Sequence, residues 1–241
     1  RPGSEREYQI MKHLQDVGGK YDRDKYVVIL KDFVQHPAPG AESGMQYLLM
    51  ERGEWPDGTL AEQFKFISKF HWTKKDALAV ELLEICKFIH SCGVVWGDVK
   101  PGNYVRFKDP YTGEKFKAID FDSSCIVSVF TSTPSTVVPS EFDRNAMFTP
   151  GYISPERAKA ILDGRTIQAA PAQDVFALGL ILFRVYTGEP FFSESDITDN
   201  NRRRYLERLS SRDFSAHNNL NNGVGRKLRS GVRKILKGML N

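Results

Sequence analysis

Val94-Val95-Trp96-Gly97-Asp98-Val99-Lys100-Pro101-Gly102-Asn103 is the stretch on which the reading of this chain turns. Two apolar residues deliver the chain to an acid, and an amide stands five positions later at the start of a predicted strand. Phosphoryl transfer asks little covalent chemistry of a protein. It needs a carboxylate to orient an attacking hydroxyl, oxygen ligands for metal beside the nucleotide phosphates, and cations against the developing charge. Asp98 suits the first role, Asn103 the second and Lys100 the third. Asp and Asn around Pro-Gly are also everyday turn formers, so by itself this stretch leaves a plain turn open.

Outward from it, Ala118-Ile119-Asp120-Phe121-Asp122 is a strand that ends in acids. A carboxylate at a strand end beside a cleft suits magnesium, which prefers hard oxygens and keeps several waters; the alternative is an Asp that opens a turn. Upstream, Tyr8, Met11 and Leu14 recur at helical spacing over Glu5–Leu14, with Ser4 placed to cap. Tyr26–Phe33 and Met45–Met50 read as strands joined through the turn-prone residues 37–44, and Glu51–Gly58 reads as a linker. Leu78, Leu82, Ile85, Cys86 and Ile89 stripe one face of a helix over Lys74–His90, whereas Asp174–Tyr186 is apolar almost all round, as a buried central helix is. Short strands are predicted over Asn103–Phe107 and Lys115–Phe121 around Asp109-Pro110, followed by a Ser- and Thr-rich loop over 123–140. In the basic tail, Leu228, Val232, Ile235 and Leu236 form the apolar stripe of a helix whose charges are its solvated face. The pattern predicts an α+β chain, with a small strand-bearing lobe over 1–53 and a larger helical lobe over 54–241.

In order and spacing, these segments resemble the eukaryotic protein-kinase family over nearly the whole chain. Trp96–Asn103 is similar to its catalytic loop H-R-D-x-K-P-x-N, and Asp120-Phe121-Asp122 to its D-F-G triplet. Thr149-Pro150-Gly151-Tyr152-Ile153-Ser154-Pro155-Glu156 is similar to its T-x-x-Y-x-A-P-E stretch, and Asp174–Gly179 to its D-x-x-x-x-G helix, followed by Tyr186-Thr187-Gly188-Glu189-Pro190. The resemblance implies a two-lobed kinase fold that binds ATP with Mg2+ in the cleft and passes the γ-phosphate to a protein serine or threonine. By it, Asp98 orients the hydroxyl, Lys100 offsets charge, Asn103 and Asp120 hold magnesium, and Thr149 lies against Asp98 and Lys100. Glu7 is implied as the acid that pairs with a nucleotide-gripping lysine, with Glu5 as competitor. Met50 stands at the back of the adenine pocket, and the backbone of Glu51, Arg52 and Gly53 meets the adenine. Glu156 and Asp174 are structural: the first seeks an arginine, and the second holds the catalytic-loop backbone, since a buried charge without a partner is costly. The Lys100-Pro101 and Thr149-Pro150 pairs resemble the serine/threonine branch.

Three positions depart from the family pattern. Trp96 replaces a histidine and by the resemblance stacks under Phe121. Gly97 replaces the arginine that grips a phosphorylated activation loop. Asp122 replaces a glycine, which restricts the backbone there. Gly97 and Asp122 also look like the aminoglycoside and choline phosphotransferases, but the Thr149–Glu156 stretch and the Asp174 helix decide against that family. The family's glycine-rich loop and strand lysine would precede Arg1, so the expectation is part of a longer kinase. The alternative is a pseudokinase acting as a scaffold or regulator in a larger assembly.

Composition adds bounds. The 241 residues are 41% apolar and 27% charged, with a formal net charge of +4, an ordinary globular balance too weakly basic to argue for nucleic acid. No apolar run approaches the roughly 18 residues of a membrane span. Cys86, Cys92 and Cys125 lack metal-ligand spacing and read as reduced thiols of a reducing intracellular compartment. Arg202-Arg203-Arg204 and Arg226–Lys237 also suit docking of an acidic partner protein.

Overall fold

A computed structural model describes residues 5–36, 45–54, 57–110, 113–127, 141–142, 149–192, 197–211, 220 and 223–240. In chain order the elements are α1 (Glu5–Gly18), α2 (Lys20–Tyr26), β1 (Leu30–His36), β2 (Met45–Met50), α3 (Leu60–Ile67), α4 (Trp72–Ser91) and β3 (Val94–Val95). They continue with β4 (Tyr104–Asp109), β5 (Gly113–Ala118), β6 (Cys125–Ile126), β7 (Glu141–Phe142), α5 (Pro155–Leu162), β8 (Ile167–Gln168) and α6 (Pro171–Thr187). Last come α7 (Arg202–Ser210) and α8 (Ser230–Leu240). The strands pair antiparallel as β1 with β2, β3 with β6, β4 with β5 and β7 with β8. Four short two-stranded antiparallel sheets set among the helices of a mainly helical chain make an α+β architecture.

α1 buries Glu7, Ile10, Met11 and Leu14 on one face, the spacing of a core-facing helix. Tyr8 leaves that face and stacks on Phe33 of β1, with ring centroids 4.5 Å apart. The strand predicted over Tyr26–Phe33 begins later than expected. Tyr26 closes α2, and Val27 and Val28 are buried in extended backbone against β5, with Val28 N–H donating to Ala118 O at 3.0 Å. The β-branched run is therefore spent docking the small sheet onto the β4–β5 hairpin before pairing with β2 begins. Ser4 and residues 37–44 lie outside the described residues.

After β2 the chain leaves regular secondary structure over Glu51–Glu54. Glu54 N–H donates to Arg106 O at 2.8 Å, and a Cβ on Gly53 would meet Val105 Cγ1 at 2.4 Å. Only glycine lets the linker approach β4 so closely. Trp55 and Pro56 of the predicted linker lie outside the described residues. α3, which the periodicity did not single out, opens on a capping box: Thr59 N–H donates to Glu62 Oε2 at 2.9 Å, and Glu62 N–H returns to Thr59 Oγ1 at 3.3 Å. The Thr59-x-x-Glu62 spacing was its signal.

α4 buries the predicted stripe of Leu78, Leu82, Ile85, Cys86 and Ile89. α6 is buried continuously from Phe176 to Phe183 and ends at Gly188, whose φ of +83° is the left-handed closure glycine supplies. One core cluster runs from Ile10 and Leu14 of α1 through Trp96 and Phe121 to Leu236 and Leu240 of α8. Ile235 does not belong to the stripe on α8: it is 59% exposed, at the edge of the face made by Val232, Leu236, Met239 and Leu240, and turns outward with Lys234 and Lys237. No described helix is long and apolar enough to cross a membrane.

Candidate active site

The loop after β3 is held from the centre of the molecule. Asp174, on α6 and 2% exposed, accepts Trp96 N–H at 2.7 Å and Gly97 N–H at 2.9 Å, one on each oxygen. His90 Nε2 lies 2.8 Å from the same carboxylate. The buried charge is thus fully surrounded by hydrogen-bonding groups, the condition under which burial is tolerable. His90, near the end of α4, carries no motif and was not legible in the sequence.

Trp96 does two things at once. Its ring is buried, stacks on Phe121 at 5.7 Å and meets Tyr104 edge-on at 5.1 Å. Its indole Nε1–H also donates to Asp120 O at 3.0 Å. Stacking under Phe121 follows the resemblance; the hydrogen bond was missed, because sequence names a ring but not the carbonyl its edge will meet. Asp120 has φ +67° and is the one non-glycine at positive φ among the described residues. That left-handed residue turns the chain out of the strand, which is why β5 stops at Ala118 instead of reaching Phe121. Asp122 is exposed and takes no positive φ, so an acid in place of glycine carries no left-handed strain there.

Around Asp98 the predicted residues converge. Thr149 Oγ1 donates to Asp98 Oδ1 at 2.9 Å, while Lys100 Nζ pairs with Oδ2. Asn103 Nδ2 donates to Asp98 O at 2.9 Å and to Oδ2 at 3.3 Å. The Asn103 carbonyl in turn accepts Ile119 N–H at 3.0 Å, which brings the residue before Asp120 onto the loop. Asp120 therefore follows directly on the residue that Asn103 holds. From α1, Glu7 is 1% exposed and accepts Phe121 N–H at 3.2 Å. Glu5 is only half-buried and takes the Gln9 amide at 2.6 Å on its own helix, so of the two acids Glu7 is the one aimed at the triplet.

Met50 is half-buried against the core at the end of β2, and Glu51, Arg52 and Gly53 line a cavity of about 570 Å³ with Glu54, Arg106 and Phe107. Glu51 N–H donates to Ile29 O at 2.9 Å, tying the start of the linker back to the segment before β1. Its side chain turns back as well: Oε1 accepts Ile29 N–H at 2.9 Å and Lys117 Nζ at 2.5 Å. Lys117 is buried on β5 with its ammonium 5.0 Å from the Phe107 ring centroid. This interior ion pair was missed; its only trace was a lysine inside the otherwise apolar run of a predicted strand.

Arg157 is the other unpredicted residue. It follows the exposed Glu156 on α5, is 5% exposed, donates from Nη1 to Gly97 O, and stands 4.1 Å from the Phe142 ring centroid. Burial pulls its pKa down, opposed by the nearby Asp98 and Asp174 carboxylates. Beside Thr149, an apolar cavity of about 320 Å³ is lined by Pro150, Tyr152, Leu180, Phe191 and Phe192 among others.

A model of the protein kinase domain family matches residues 3–241, so the chain belongs to that family. Calcium-dependent protein kinase 11 of Arabidopsis thaliana is similar at 27% identity over 200 residues, covering 79% of this chain and 32% of that protein. Calcium-dependent protein kinase 8 of the same plant is 28% identical over 194 residues, covering 79% and 30%. Human calcium/calmodulin-dependent protein kinase type 1B is 30% identical over 135 residues, covering 55% and 34%. The chain spans about a third of the length of these curated relatives.

Proposed function

We propose that the protein is a serine/threonine kinase that transfers the γ-phosphate of ATP to a hydroxyl of a protein substrate. The observation that carries this reading is the convergence of Thr149, Lys100 and Asn103 on the single carboxylate of Asp98. Asp98 accepts the proton of the incoming hydroxyl and orients its oxygen, the role of a carboxylate in this chemistry. Lys100, already paired to Asp98, places a cation where charge develops.

The donor set suits magnesium. Asn103 points its amide nitrogen at Asp98, which turns its amide oxygen to the opposite side, and the acidic Asp120 follows Ile119, whose N–H the Asn103 carbonyl accepts. Among the described residues no group of three or more His, Cys, Asp or Glu forms a ready cage, and magnesium commonly takes only one or two protein oxygens beside substrate phosphates. Asn103 and Asp120 are the residues that would hold it. Bound with the nucleotide, the ion offsets the charge of the phosphate oxygens. The apolar cavity beside Thr149 is placed to receive a side chain of the acceptor peptide.

Phosphate transfer from ATP to a panel of serine- and threonine-bearing peptides by the full-length protein tests the reading. Asp98→Asn should lower the rate by about two orders of magnitude or more, with nucleotide affinity nearly kept. An undiminished rate would remove Asp98 from the mechanism. A wild-type protein that transfers no phosphate to any acceptor, itself included, would favour a regulatory or scaffolding kinase domain.

A further inference from the structure

Gly97 immediately precedes the proposed base and has φ +82°, a conformation open to glycine and unfavourable for other residues. A Cβ at this position would lie 2.5 Å from Ser123 O and 2.7 Å from Phe142 Cε1. In the conformation this chain adopts, position 97 therefore admits no side chain unless its neighbours shift. A glycine left loose here would let the peptide that carries Asp98 rotate. Two buried charges prevent that. Asp174 on α6 accepts the Gly97 N–H at 2.9 Å, and Arg157 on α5 donates to the Gly97 carbonyl. One residue is gripped at both of its polar groups by charges of opposite sign from two different helices.

Packing alone does not call for an arginine at 157. A guanidinium is costly to bury, and a methionine would fill the space over Phe142 without that cost. Nη2 of Arg157 is buried with no hydrogen-bond partner among the described residues, so the side chain is not there to satisfy all its donors. What requires the charge is the bond to Gly97.

The geometry points to Arg157 as a positioning residue for Asp98: by holding the Gly97 carbonyl it fixes the 97–98 peptide and so the direction in which the Asp98 carboxylate leaves the loop. Arg157 touches no substrate. It stands eight residues beyond Thr149, so the segment that bonds Asp98 directly through Thr149 Oγ1 also bonds the residue before it. Loop and segment are fastened twice. The catalytic part of this inference rests on the kinase reading; the structural part does not.

The test is made on the full-length protein with two readouts. Arg157→Ala should lower kcat by about ten- to a hundredfold through a displaced Asp98, with the KM for ATP unchanged. It should also raise hydrogen exchange over residues 96–100 while leaving the amides of α4 and the rest of α6 as protected as in the wild type. Guanidinium ion at about 50 mM, far below the molar range of denaturation, should restore both signals in Arg157→Ala and alter neither in the wild type. Lys159→Ala, an exposed residue of the same helix, should match the wild type. Unchanged exchange over 96–100 in Arg157→Ala would overturn the inference. So would a rise spread evenly over α4, α5 and α6 with no response to guanidinium, which would mark Arg157 as a packing residue. If the wild type transfers no phosphate, the kinase reading fails by itself, and the exchange readout still decides the role of Arg157.

Discussion

Trp96→Phe tests the join between the Trp96–Asn103 loop and the Asp120 triplet. The substitution keeps a flat ring under Phe121 but deletes the indole N–H that donates to Asp120 O at 3.0 Å. Losing the bond to this part-buried carbonyl costs about 1 kcal/mol. The smaller ring also weakens the edge contact with Tyr104, about 0.5–1 kcal/mol, and opens space in a fully buried site at about 1 kcal/mol more. Together these amount to about 3 kcal/mol. With a urea dependence of about 3 kcal/mol/M, the unfolding midpoint should fall by about 1 M, read by far-ultraviolet circular dichroism because the tryptophan signal itself changes. The Trp96→Phe variant should also lose phosphate transfer, since Asp120 sits at φ +67°, a conformation that persists only where its surroundings hold it. A midpoint within about 0.2 M of the wild type would refute the assignment of the Trp96–Asp120 bond as a structural tie.

Asp174→Ala strands the N–H groups of Trp96 and Gly97 and leaves His90 without its acceptor; a loss of about 3–5 kcal/mol should lower Tm by roughly 10 °C in a thermal-shift assay, and a change under about 2 °C would contradict it. All three cysteines are buried thiols outside any disulfide, and burial pushes the Cys125 thiol from an ordinary 9.0 up to about 11. Native protein at pH 8 should therefore resist iodoacetamide at Cys125 and label fully once unfolded; rapid native labelling would show that the thiol is open to solvent. The sign on stability follows: from about pH 9 to 11 the unfolded chain releases a proton that the folded thiol keeps, so this group lowers stability as pH rises. Finally, the thermal shift produced by ATP should depend on magnesium in the wild type and lose that dependence in Asp120→Ala; equal shifts in magnesium and in chelator would exclude Asp120 as a metal-holding residue.

Local chemistry made much of this protein readable before its fold. The spacing from Asp98 to Asn103, the acids ending the strand at Asp120, and the stripes of α4 and α6 are short-range patterns, set by the geometry of one loop, one strand end or one helix. Where the reading slipped, the local signal was real but another partner claimed it. The β-branched run at Val27 and Val28 is extended, yet it lies on β5; Ile235 falls near an apolar stripe, yet it turns to solvent. The partners themselves were decided only by tertiary structure. Glu7 and Glu5 are near-equivalent acids in sequence, and only the docking of α1 brings one of them to Phe121 N–H, 114 residues away. The Trp96 bond to Asp120, the Lys117 pair with Glu51 and the Arg157 bond to Gly97 span 24, 66 and 60 residues. At such separations periodicity sets which face a side chain takes, but the packing of whole elements sets what that face meets.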